Sequence, residues 1–248
     1  KKVLFFDELP WLDTKRSGFL QAFEHFWNSW VSKQNDLIVV VCGSAASWMI
    51  KQIVNSKGGL HNRITQKIRL LPFNLYEMQQ YLISRRVKLD QYQLLQLYMV
   101  MGGIPHYLRE VQTGESATQC IDRVCFSKDG LLFTEFKNLY AALYDQSDKH
   151  IQIIKALSAK RSGLTRNEII ADTGISSGGT ITTVLDELAE SGFISTYTPM
   201  DKKTKDTLCR LTDEYSLFYL KFIQGSRTSG NGTWISKANS ASWKSWSG

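Results

Sequence analysis

Two short apolar runs on either side of a stretch of helical periodicity constrain this chain more than any other feature. Residues 3–6 read Val-Leu-Phe-Phe and residues 37–42 read Leu-Ile-Val-Val-Val-Cys. Each has the length and the β-branched or aromatic content of a strand buried on both faces. Between them, Phe19, Leu20, Phe23, Phe26, Trp27, Trp30 and Val31 recur at three- and four-residue spacing, which predicts an amphipathic helix lying on the sheet. Strand, helix and strand in that order form a crossover unit whose strands run parallel. Both runs end in polar residues, Asp7-Glu8 after the first and Gly43-Ser44 after the second. Open parallel sheets bind their ligands at the C-terminal ends of the strands, so these side chains are predicted to share one rim. The same residues also fit a solvated acidic turn and a serine capping a helix that starts at Ala45.

A third strand is predicted over 64–71, where Lys67, Ile68, Arg69 and Leu70 alternate as in a strand with one wet face, and Pro72 closes it. Residues 73–147 read as helices, with apolar spacing over 75–86, 91–101 and 117–126. The joint GGIPHYL at 102–108 ends one helix with glycines and starts another with Pro105. Residues 148–212 change character. Helices are predicted over 150–159, 166–173 and 180–191, the second opened by a Thr165/Glu168 capping box and the third capped by Ser176 or Ser177. Short strands over 193–198 and 207–211 flank a basic turn. Three helices and a hairpin make a winged helix. A further helix is predicted over 212–223. The remainder is rich in Ser and Gly and reads as a linker, although Trp234, Trp243 and Trp246 predict that it packs against something.

With 30 basic and 23 acidic residues among 248, the chain carries a net charge of +7. The excess is uneven: Lys57, Arg63, Lys67, Arg69, Arg85, Arg86 and Lys88 face Glu77 alone. Such a stretch suits a polyanion, either nucleotide phosphate or nucleic acid, and also suits a plain solvated face. In the winged helix, Ser177, Thr180, Thr182 and Thr183 on the third helix and Lys202, Lys203 and Lys205 in the hairpin turn would contact DNA as a groove helix and a phosphate-touching wing. Asp186, Glu187 and Glu190 weigh against this, as does the lack of any Arg, Lys, Asn or Gln between Ser176 and Gly192. A packing or partner-binding role for the module therefore stays open. No apolar run approaches the roughly 20 residues of a membrane span. The four cysteines are scattered without metal-ligand spacing, and the expectation is a cytoplasmic protein with reduced thiols. The dispersed histidines give nucleophilic catalysis little support.

Taken in order, VLFFDE at 3–8, VVVCGSA at 39–45, LHNRIT at 60–65 leading to LLPF, GGIPHYL at 102–108, the winged helix and CRLTDEYSLFYLKF at 209–222 resemble an archaeal-type P-loop ATPase family related to the AAA+ and STAND groups. The resemblance covers nearly the whole chain. It implies an α/β fold: a partial P-loop NTPase parallel sheet over 1–72, a helical lid over 73–147, a winged helix over 148–212, and a helix and linker over 213–248 leading toward a nuclease-like domain. ATP and Mg²⁺ are the implied cofactors. Asp7 would be the Walker B acid that helps hold Mg²⁺, Glu8 the carboxylate that polarises water, and Ser44 the sensor 1 residue. Arg63 would be an arginine finger toward the γ-phosphate, from its own subunit or a neighbour. Gly102, Gly103 and Pro105 would form the lid motif near the adenine.

The phosphate-loop signature GxxxxGK[ST] occurs nowhere in these residues. The resemblance thus implies a middle fragment of a longer ATPase, not competent to hydrolyse ATP without the phosphate loop. In the family's strand order, 5-1-4-3-2, residues 3–6, 37–42 and 64–71 correspond to strands 3, 4 and 5. The phosphate-loop strand would lie between the last two, leaving a gap for an upstream segment or a partner strand. A DNA-targeting protein and a regulatory interaction module, binding another protein or a second copy of the chain, are the competing functions.

Overall fold

The computed structural model describes residues 1–14, 16–44, 48–54, 58–144, 146–226 and 232–248. The chain divides into two compact units, residues 1–69 with 178–191, and residues 70–177 with 192–248.

In the first unit, β1 (Lys2–Phe6) pairs in parallel with β2 (Leu37–Val41) in the register Phe6 to Val41. A short helix α1 (Leu9–Leu12) and the amphipathic helix α2 (Phe19–Ser29) form the crossover. Phe6, Val39 and Val41 project onto α2, where Leu9, Phe23, Ile53 and Leu60 close a small core, and Phe6 meets Phe23 edge to face at 5.2 Å. The other face differs from expectation. Val3 and Phe5 are 60% and 61% exposed, and Ile38 and Val40 are exposed beside them. These strands are therefore buried on one face, because no described residues cover the second. The predicted third strand is also not formed: residues 63–74 are neither helix nor strand, no ladder joins them to β2, and Leu70 is 89% exposed. An alternating pattern needs a neighbouring edge to become a strand, and a lone extended segment has none. The helix expected from Ala45 falls partly outside the described residues; Met49–Val54 forms a π-type turn. Lys57 of the basic stretch also lies outside them. Helix α10 (Gly179–Glu190) belongs to this unit and buries Ile181, Val184, Leu185 and Leu188. Its cap is Gly178 without a side-chain bond, in place of the expected serine, and the Arg69 guanidinium donates to the Glu190 carbonyl at its other end.

The second unit is mostly helical. It holds α3 (Leu75–Ser84), α4 (Gln91–Met101), α5 (Pro105–Leu108), α6 (Ala117–Ile121), α7 (Leu131–Leu143), α8 (Ser147–Ser158) and α9 (Arg166–Thr173). Strands β3 (Leu164–Thr165), β4 (Ile194–Tyr197) and β5 (Leu208–Leu211) form an antiparallel sheet in the order β3-β5-β4. Local chemistry sets the starts: Asn74 with Glu77, Ser116 with Gln119 and Thr165 with Glu168 each form a capping box. The Thr165 amide, then the Lys160 ammonium and the Thr165 hydroxyl, hold Glu168 down at about 2, against 4.5 for a free glutamate. A folded value below the unfolded one stabilises above pH 4.5, and that contribution fades as pH falls toward 2. Glu168→Gln is accordingly expected to flatten the acid side of the unfolding-midpoint profile over that window, and an unchanged profile would refute the coupling.

The C-terminal residues form structure instead of a free linker. After α11 (Glu214–Phe218), α12 (Thr233–Lys237) and α13 (Ala241–Ser247) bring Trp234 and Trp243 into the core at 1% exposure. Trp234 stacks on Phe126 at 5.4 Å and meets Trp243 edge-on at 5.1 Å. The buried Asp122 carboxylate holds this segment by accepting from the amides of Gly232, at 2.7 Å, and Trp234. Asp122→Ala leaves both amides unsatisfied and is expected to cost roughly 3 kcal/mol. Thermal unfolding followed by tryptophan fluorescence measures it, and a loss under about 1 kcal/mol would argue against this anchor.

Candidate functional site

The predicted rim is built in the first unit, where β1 and β2 end side by side. The parallel ladder continues past both strands: Cys42 donates its amide to Phe6 O at 3.0 Å, and Leu9 donates to Cys42 O at 2.9 Å. This keeps Asp7 and Glu8 abreast of Cys42, Gly43 and Ser44. Glu8 sits in the left-handed region at φ 48°, ψ 51°, a conformation that costs a non-glycine residue roughly 1 kcal/mol or more. It turns the chain sharply from β1 into α1 and sends the carboxylate across to β2. There Glu8 Oε2 accepts from the Ser44 amide at 3.1 Å and the Ser44 hydroxyl at 2.9 Å. Gly43 makes the close approach possible, since a Cβ there would lie 2.6 Å from Pro10 Cδ.

Asp7 is exposed at the strand end. Its Oδ1 accepts from the Cys42 thiol at 2.8 Å and from the Glu8 amide at 3.1 Å. That carboxylate, with partial burial adding, holds the Cys42 thiol above the ordinary thiol range, so it remains a donor. With Oδ1 committed, Oδ2 is the oxygen left to face a ligand. One carboxylate oxygen suits Mg²⁺, which keeps most of its waters and takes its remaining ligands from phosphates. Among the described residues no cluster of three or more His, Cys, Asp or Glu makes an all-protein metal cage. Cys42 is the site residue that sequence reasoning passed over. Its place at the end of β2, one residue before Gly43, was the available signal.

The other predicted residues are not brought to this rim by any described contact. Arg63 is exposed after a turn closed by its own amide on Leu60 O at 3.1 Å, and it makes no bond to Asp7, Glu8 or Ser44. Gly102, Gly103 and Pro105 lie in the second unit. Gly102 has φ 59° and ψ −160°, open to glycine alone, and a Cβ on it would meet Glu214 Oε2 at 3.1 Å. Gly103 accepts from the Phe73 amide at 2.8 Å, and Pro105 opens α5. Thr180, Thr182 and Thr183 are exposed on α10, with the Thr183 hydroxyl spent on Gly179 O, whereas Ser177, Lys202, Lys203 and Lys205 belong to the other unit and are also exposed. All four cysteines are free thiols. No helix among the described residues is long and apolar enough to cross a membrane.

No protein-family model matches the chain, and no curated protein sequence does. A solved structure does: the Walker-type ATPase PABY2304 of Pyrococcus abyssi, with a TM-score of 0.60 and 17% sequence identity over 88% of this chain. The match spans 62% of that protein's length, so the chain accounts for under two thirds of it. At this identity the likeness establishes a shared fold.

Proposed function

We propose that this chain is the Walker B and sensor portion of a Mg²⁺-dependent ATPase, completed by a phosphate-loop strand that is not among these residues. The observation that carries the reading is the rim itself: two adjacent carboxylates end β1, and the serine after β2 bonds directly to the second. The fold shared with a Walker-type ATPase supports it. In this reading Asp7 would help hold Mg²⁺, with Oδ2 the oxygen not already bonded to Cys42 and Glu8. Glu8 polarises the attacking water once its carboxylate leaves Ser44, and Ser44 then turns its hydroxyl to the γ-phosphate. Mg²⁺, when bound, supplies charge neutralisation on the phosphates.

The bare face of Val3, Phe5, Ile38 and Val40, together with the exposed apolar residues of 64–71, supports a place for the missing strand and its helix. An open edge and an uncovered apolar face are what a sheet shows when a central strand is withheld. Helices α3 to α7 would then serve as the lid. Helices α8 and α9, with the β3-β5-β4 sheet, would serve as the frame of a winged helix. The deciding measurement is ATP binding and Mg²⁺-dependent hydrolysis by this chain supplied with a phosphate-loop strand–loop–helix segment, in cis or as a separate peptide. Failure of both to appear sinks the reading.

A further inference from the structure

The second unit carries a cavity of about 250 Å³ that the ATPase reading leaves without a role. Its apolar wall comes from Leu157 on α8, Leu217 on α11 and Trp246 on α13. Three cations surround that wall: Lys160, Arg161 and Arg210. All three are exposed, so their charges stand at the rim. Lys160 pairs with Glu168 at 2.9 Å, and Arg161 lies over the Trp246 ring at 5.4 Å while donating to the Trp246 carbonyl. The Arg210 guanidinium, projecting from the middle strand β5, has no hydrogen-bond or ion-pair partner among the described residues. Glu214 is the one carboxylate on the lining, and desolvation pushes it above the ordinary range. Three cations against Glu214, with Glu168 on Lys160, leave the rim net positive even with both carboxylates charged.

The size of the cavity and its chemistry narrow the occupant. Sites for drug-sized ligands run to about 300–1,000 Å³, so this one is small for a nucleotide and suits a single large side chain. An apolar floor inside a charged rim is the layout of an anchor pocket at a protein interface. We propose that the cavity docks an acidic segment of a partner protein, which inserts one bulky aliphatic or aromatic side chain against Leu157, Leu217 and Trp246 while its flanking carboxylates meet Arg210 and Arg161. This site stands on the second unit alone and survives or fails independently of the nucleotide site.

The test is fluorescence anisotropy of the full chain with a labelled short peptide in which a central Leu is flanked by Asp and Glu. Saturable binding at low ionic strength is expected, weakened about tenfold or more by Arg210→Glu and by replacing the central Leu with Ser, and weakened by added salt. Arg210 is exposed, so the variant should fold, which circular dichroism checks; Arg161→Gln is a second variant expected to act in the same direction. The absence of saturable binding overturns the proposal. So does equal affinity for the Ser peptide or for one with Lys in place of the acids, and so does indifference to both arginine variants. Complete displacement of the peptide by an equal concentration of phenylpropionate would make this a small-molecule site and also overturns it.

Discussion

Glu8→Gln is expected to lower ATP turnover by about 100-fold or more in the protein completed by its phosphate loop, while leaving nucleotide affinity within about threefold. The argument follows from what each oxygen touches. Gln keeps the size of Glu and still offers a carbonyl oxygen to the Ser44 amide and hydroxyl, which now bond Glu8 Oε2 at 3.1 and 2.9 Å. The local fold should therefore persist. The negative charge that would draw a proton from water is lost, and that loss acts only as the bond to phosphorus forms. Asp7→Asn should behave differently, since it removes charge from the oxygen proposed to face Mg²⁺ and is expected to weaken Mg²⁺-dependent nucleotide binding itself. Steady-state hydrolysis together with binding of a fluorescent ATP analogue separates the two. A Glu8→Gln protein that hydrolyses within about threefold of the parent would remove Glu8 from the chemistry.

Gly103→Ala should produce the largest loss of stability. A Cβ built on Gly103 lies 1.7 Å from the carbonyl oxygen of Phe73 and 2.5 Å from its carbonyl carbon, both backbone atoms that no rotamer change can move. The same two residues are tied by the Phe73 amide donating to Gly103 O at 2.8 Å. Relieving the overlap breaks this tie and pulls the start of α3 from the end of α4. We expect about 3 kcal/mol or more, visible in chemical unfolding of the second unit. Gly114→Ala is the strain-only comparison: Gly114 has a positive φ, at 84°, which Gly103 does not, and its Cβ would meet nothing within 4 Å. A loss at Gly103 no larger than the one at Gly114 would show that the Phe73 overlap is relieved cheaply and would overturn the prediction.

Much of the helical unit was legible in the sequence because its signals are local. Gln91–Met101 and Arg166–Thr173 lie where apolar spacing and the Thr165/Glu168 pair put them. The parallel pairing of β1 and β2 was legible too, since a long amphipathic crossover leaves little alternative. What the sequence did not show depends on neighbours. The alternation at 64–71 is a sound strand pattern, but with no adjacent edge it stays unpaired. The run of β-branched residues in β2 announced burial on both faces, and only one face is covered. At the rim, residue types and positions pointed to Asp7, Glu8 and Ser44. The left-handed turn at Glu8 and the thiol bond from Cys42 to Asp7 were not readable, because neither residue type favours them. Gly102 and Gly103 have a structural reason to be glycine that is separate from the lid role implied by resemblance: the φ of one and the Phe73 backbone beside the other.

The tryptophan pair at 234 and 243 has a consequence for biosynthesis. Trp234 and Trp243 close a core whose other walls, Phe126 and Phe218, are made much earlier. During translation those earlier rings must wait, solvent-facing, until residue 243 has cleared the ribosome. The core of the second unit is thus expected to close only after residue 243 has emerged, and nascent chains stalled before that point should be the ones that chaperones hold.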